Sequence, residues 1–153
     1  MTLRWCFGWY YHLYRIHMQN NEHRESYKAP IAVVDATPFL TPEHFKSMVA
    51  GSEAVILAAF ATGTIPERLI PIIKSTTESG VPVFLLSKNP GDSHGILNER
   101  KYEAQANAAD AGAIVLKTVN VNNAASVLAV ISEEISLGNH GKNLGMAIKK
   151  RFQ

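Results

Sequence analysis

From position 29 onward, short unbroken apolar runs alternate with longer stretches in which apolar residues recur at helical spacing. Unbroken runs of strand length suit strands buried on both faces, and the mixed stretches suit amphipathic helices, so the pattern predicts βα order. IAVV at 31–34 reads as the first strand. Thr41, Pro42 and Glu43 then offer an N-cap, a proline for the first turn and an acid near the positive helix end, which predicts a helix to about Val49. AVILAA at 54–59 reads as the second strand, and Pro66-Glu67 opens a second helix that runs to Gly80. Pro71 falls inside that helix, so the helix either bends there or begins near it. The third strand is expected at 81–86, followed by a long polar loop over 87–101. An alanine-rich helix then ends at Gly112, and AIVL at 113–116 reads as the fourth strand. A long helix follows, capped by Asn122 or Asn123 and ended at Leu137-Gly138.

Four apolar strands separated by helices predict an α/β domain built on a small parallel sheet of about four strands. Right-handed crossovers should place helices on both faces in the three-layer, Rossmann-like manner. The expected organisation is an N-terminal extension or linker at 1–28, the α/β domain at 29–137 and a basic tail at 138–153, the tail reading as a solvated terminus or a short final helix. The extension's first 17 residues hold both tryptophans and three of the five tyrosines, broken by Arg4, His12 and Arg15, with no small-residue cleavage site after them. It reads either as an aromatic, basic stretch for a membrane surface or partner helix, or as a product of the translation start, since Met18 opens an ordinary polar run. Beyond it nothing approaches the roughly 20 apolar residues of a membrane span.

Length and composition agree with a single domain, at 153 residues and 46% hydrophobic. The net charge of +2 comes from 15 basic and 13 acidic side chains scattered along the chain, so no basic stripe points to nucleic acid. Cys6, the single cysteine, has no internal disulfide partner and no neighbour at metal-ligand spacing, which fits a cytoplasmic protein. The six histidines include no pair at zinc-ligand spacing, so no metal and no cofactor is expected.

Ligands of open parallel sheets bind beyond the carboxyl ends of the strands, which directs attention to the loops after the second and third strands. Thr62 and Thr64 flank Gly63 between a buried strand and a helix start, where hydroxyls and free helix N–H groups can face a carboxylate or phosphate. The same turn also suits plain helix capping. The spacing is neither that of a P-loop nor that of a dinucleotide fingerprint. The third loop presents Ser87, Asn89, Asp92, Ser93, His94 and Glu99. Its adjacent Asp, Ser and His do not amount to a catalytic triad, whose members converge from separate loops.

In order along the chain, VVDATPFLTPE, the stretch from GSEAVILAAFATGTIPE to LLSKNPGDSHG, and KYEAQANAADAGAIVLKTVNVNNAASVLAVI resemble the C-terminal domain of the L-asparaginase family. The cytosolic asparaginases, and the archaeal amidotransferase subunit that makes glutamine on transfer RNA, are closest in pattern. The family's glycine-rich turn ending in Asn-x-Pro falls at 54–66, its strand ending in Ser-Gln at 80–88, its tyrosine-containing helix at 102–114 and its capped final helix from Asn122. Thr64 stands where the family usually carries Asn, which replaces an amide by a shorter hydroxyl. Ala59 and Ala61 stand where it carries glycines, and Asp92 or Glu99 could correspond to acids that some members send to a neighbouring site.

The resemblance implies an amidohydrolase fold module without its chemistry. The family's nucleophilic threonine lies in a TGGTI segment of a larger N-terminal domain, with a second Thr-Asp-Thr and lysine group, and neither is present in these 153 residues. No catalytic residue is therefore expected. The substrate-binding candidates are Thr62, Thr64, Ser87, Asn89, Asp92, Ser93 and Glu99. The expected role is a binding or assembly module that forms a homo-oligomer through the apolar surface left by a missing domain. Two alternatives stay open: completion of an asparagine or glutamine amidohydrolase in trans with a separate N-terminal domain, and sensing of a small amino acid.

Overall fold

The computed structural model describes residues 30–60, 63–88 and 102–153. β1 (Ile31–Asp35), β2 (Ala54–Ala59), β3 (Val83–Ser87) and β4 (Ile114–Asn120) form one parallel sheet in the order β1-β2-β3-β4. α1 (Pro42–Val49) joins β1 to β2, α2 (Ile70–Glu78) lies between β2 and β3, and α3 (Glu103–Asp110) precedes β4. α4 (Ala124–Ser136) and α5 (Gly141–Arg151) follow the sheet.

Each connection steps the same way across the sheet, so right-handed crossovers put α1, α2 and α3 together on one face. Strand alternation matches this division. Val34, Leu57 and Leu85 pack against Phe45, Ile73 and Ala108 of those helices. Ile56, Phe84 and Leu116 point the other way and are covered by Val127, Ile131 and Leu144 of α4 and α5. The three-layer architecture expected from the sequence is present, with its second helical layer supplied, among the described residues, by the last two helices.

The residues 138–153, read above as a basic tail, thus contain a helix that belongs to the core. Leu144 and Ile148 are fully buried, four apart on one side of α5, and each contributes roughly 1.5–3 kcal/mol of apolar burial. Glu134, itself buried, accepts from Asn139 Nδ2 at 2.7 Å and pairs with Arg151 at 3.2 Å, which ties both ends of α5 to α4. The basic residues at 149–151 occupy the last turn, where cations suit the negative helix end.

Local chemistry accounts for the other boundaries. Thr41 caps α1, its Oγ1 accepting from the His44 N–H at 3.2 Å. A 3-10 turn at Glu67–Leu69 leads into α2, so Pro71 sits in its first turn, where its missing N–H costs nothing; the helix begins near the proline rather than bending at it. β3 starts at Val83 because Pro82 has no N–H for the ladder, though its carbonyl still accepts from Val55 at 3.0 Å. β4 runs four residues past the expected Leu116. The β3–β4 register jumps from Leu85↔Val115 to Ser87↔Asn120, and the polar Lys117 and Thr118 occupy the irregular stretch. Asn123 is the N-cap residue of α4, as expected, but makes no side-chain capping bond there; Asn120 caps the 3-10 turn Val121–Asn123 that leads into the helix, its Oδ1 accepting from Asn122 N–H at 2.9 Å while Asn123 Oδ1 accepts from Asn120 N–H at 3.2 Å.

Candidate functional site

The carboxyl ends of the four parallel strands carry Asp35, Ala59, Ser87 and Asn120. Immediately beyond them stand Phe60 and Lys88, and these residues form the mouth on which the strand-end loops converge. Lys88 holds it together. Its backbone N–H donates to Ala59 O at 2.9 Å, extending the β2–β3 ladder by one bond. Its side chain then passes over the Phe60 ring, with Nζ 4.8 Å from the ring centroid, and ends in an ion pair with the Asp35 carboxylate. Nζ also lies 3.5 Å from the carbonyl of Ala36.

The two partners differ in environment. The Lys88 side chain is 24% exposed and that of Asp35 62%. Burial holds the Lys88 ammonium below the ordinary lysine range, because withdrawing the cation from water disfavours its charged form. The mouth therefore contains a partly desolvated cation, an accessible carboxylate and an aromatic face within one side-chain length of each other.

Arg68 makes the second link. It lies in the 3-10 turn before α2, donates from Nε to Leu40 O at 3.0 Å and from its other nitrogen to Pro38 O. These bonds fasten the loop after β1 to the segment after β2 and leave Phe39 at their tip 89% exposed. The turn after β2 is closed by its own backbone: Gly63 N–H donates to Phe60 O at 2.6 Å and Phe60 N–H to Thr64 O at 3.0 Å. Gly63 has φ +79, a left-handed conformation that a side chain would strain. Ile65, 4% exposed, anchors the turn in the core.

Of the residues expected at the site, Thr64 lies half-buried on this turn at the mouth. Ser87 lies at the end of β3 between Ala59 and Asn120, with no exposed surface. Thr62, Asn89, Asp92, Ser93 and Glu99 fall outside the described residues, as does the extension at 1–28. Lys88, Asp35, Phe60 and Arg68 were not singled out from the sequence. The available signal was a lysine directly after a continuous apolar strand, but its partner lies 53 positions earlier and is brought near only by the strand order.

A groove of about 690 Å³ lies at the opposite end of the sheet, lined by residues such as Lys74, Pro82, Gly112, Gly145 and Lys149. It is remote from the strand-end loops, and parallel sheets bind ligands at the carboxyl ends. Among the described residues no helix is long and apolar enough to cross a membrane.

The sequence model of the glutaminase/asparaginase C-terminal domain family matches residues 30–136. Two solved structures resemble the fold. The thermostable L-asparaginase from Thermococcus kodakarensis is 22% identical with a TM-score of 0.62, the match covering 78% of this chain and 34% of that one. L-asparaginase I from Vibrio cholerae O1 biovar eltor is 24% identical with a TM-score of 0.64, covering 82% of this chain and 36% of that one. The chain thus spans about a third of the length of each, and at these identities the likeness is one of fold. No curated protein matches the sequence.

Proposed function

The chain belongs to the glutaminase/asparaginase C-terminal domain family, and from that membership we propose that it is an asparaginase-type binding or assembly module. In this reading it works in the cytoplasm as a homo-oligomer and hydrolyses nothing with its own residues. The observation that carries the reading is the mouth at the strand ends, where the Lys88 ammonium, the Asp35 carboxylate and the Thr64 turn converge. A zwitterionic amino acid presents the complementary pair of charges, and Thr64 would supply a hydroxyl beside them. The 153 residues contain no TGGT-type threonine segment, so the groups that attack an amide and hold its oxyanion are not among them.

Titration calorimetry of the purified chain with L-asparagine, L-aspartate and L-glutamine, run beside an ammonia-release assay, tests this reading. Binding without ammonia release is the expected result, weakened by Thr64→Val with the fold retained. Ammonia release by the chain alone would overturn it.

A second reading is favoured by the match to only 34% and 36% of the two asparaginase chains. In it, this domain completes an asparagine or glutamine amidohydrolase together with a separately supplied N-terminal domain. Ammonia release that arises only on mixing with a protein bearing the TGGT-type segment would favour this reading.

A further inference from the structure

The two edges of the sheet are finished differently. Along β4, the residues after α5 close the edge: Lys117 and Thr118 donate their N–H groups to Phe152 O at 2.9 and 3.3 Å, and Gln153 Nε2 donates to Val115 O at 3.2 Å. No described residue covers β1 in this way. Ala36 N–H donates to Ala58 O, and Pro30 O accepts from Glu53 N–H, so the even-numbered residues of β1 turn their polar groups toward β2. Ile31 and Val33 therefore present theirs outward, as Asp35 does its N–H, while the Asp35 carbonyl accepts from Thr37 N–H at 2.9 Å.

The surroundings of this edge are apolar. Val33 is 47% exposed on the α4/α5 face of the sheet, beyond Ile31, which packs against that layer. Phe39, in the loop after β1, and Met48, on the α1 helix that packs against β1, are 89% and 38% exposed. An edge that no described residue covers, flanked by exposed apolar side chains, is a template for another strand, and native sheets usually blunt such edges with charge or cover.

We propose that β1 is an interface with a second copy of this chain, the two strands pairing antiparallel about a two-fold axis at Val33 to make one eight-stranded sheet. The strand is complementary to itself in this arrangement. Val33 faces Val33 of the second copy and Ile31 faces Asp35, with about two backbone hydrogen bonds at the Val33 pair and the Asp35 N–H placed to donate to Ile31 O at each end. The charges are compatible as well. Asp35 is already neutralised by Lys88, and the other end of the strand carries the Glu53–His140 pair, with Nδ1 and Oε2 2.8 Å apart. Antiparallel pairing sets each end, one acid and one base, against the opposite end of the other copy, so no like-charged ends meet. The inference rests on the assembly half of the reading above and gives it a location.

The test combines sedimentation of the full chain over micromolar concentrations with two substitutions and one cross-link. The wild type should sediment as a dimer. Val33→Lys, at an exposed position, and Val33→Pro, whose lost N–H points away from β2, should sediment as monomers with unchanged far-ultraviolet circular dichroism. In a Cys6→Ser background, Val33→Cys should form a disulfide-linked dimer on oxidation, since facing residues of such a pair lie at about 5.5 Å between Cα atoms, within disulfide reach. A wild type that stays monomeric overturns the assembly reading itself, including the case in which another part of the same chain covers the edge. A dimer that survives both Val33→Lys and Val33→Pro, with no cross-link through Val33→Cys, overturns the β1 interface alone and leaves assembly to another surface.

Discussion

Lys88 and Asp35, 53 residues apart in sequence, meet across the end of β2, the ammonium of one resting on the carboxylate of the other above the Phe60 ring. This pair links the rim of the mouth by reaching across three strands with a single side chain. It also sets a pH dependence. Burial lowers the Lys88 pKa, so between that lowered value and the ordinary 10.5 the folded protein binds fewer protons at this site than the unfolded chain. Stability contributed here must therefore rise with pH through that window. Urea unfolding at a series of pH values should show the wild type gaining on Lys88→Met as the pH climbs toward 10.5. A constant difference between the two proteins would contradict the burial of the cation. Asp35→Asn should lower stability by only about 0.5–1 kcal/mol, because the carboxylate is largely exposed.

Gly112 ends α3 at φ +91, and a Cβ placed there would stand 2.9 Å from Thr77 Oγ1, which itself donates to Ala111 O at 2.7 Å. Gly112→Ala should therefore cost about 2 kcal/mol or more, adding a contact clash to left-handed strain. Gly138→Ala provides the control, with φ +88 and open space around the new methyl, and should cost about 1 kcal/mol. Thermal melts of the two variants should separate accordingly, and Thr77→Ala should recover part of the loss in the Gly112→Ala background.

Leu144→Ala should destabilise by about 2–5 kcal/mol, since Leu144 is fully buried between α5 and the sheet. Chemical denaturation with an unchanged m-value would report a loss within one cooperative unit. If α5 were peripheral, the same substitution would barely move the midpoint.

Thr41→Ala should cost about 1 kcal/mol through loss of the α1 cap. The same change should raise the pKa of Glu43, which is held below the usual carboxylate range by its hydrogen bond to backbone N–H and then by Thr41. The depressed pKa means that this carboxylate's contribution is present above its unfolded pKa and is lost as pH falls through the folded one. Side-chain carboxyl titration by NMR in the two proteins reads the shift directly.

The sequence reading succeeds where the signal is local. The six-residue run at 54–59 is β2 in full, Thr41 caps α1, Gly112 adopts the positive φ of a helix stop, and Pro71 marks the start of α2. It falls short where the cause is tertiary. The stretch at 138–153 reads as a solvated terminus or a short final helix, and the helix is present; its place in the core is hidden because the buried stripe consists of little more than Leu144 and Ile148, recognisable only once the second sheet face needs cover. β4 looks finished at Leu116 because Lys117 and Thr118 are polar, yet both bond to Phe152. The site divides in the same way. The strand-end loops were identifiable from the βα order, whereas Lys88, Asp35 and Arg68 act through partners that sequence spacing does not reveal.

The division of the two helical layers has a consequence for synthesis. The cover of the second sheet face, among the described residues, comes from positions 124–151, whereas all four strands lie before them. At about 5–20 residues per second, a ribosome that has completed β4 still needs on the order of seconds to make those helices. Until those helices are in place, Phe84, Leu86 and Leu116 lack the cover they have in the finished fold. A nascent chain paused there, or a product cut short there, would be the species that chaperones meet, and its vulnerability would arise from the order of manufacture rather than from weakness in the finished fold.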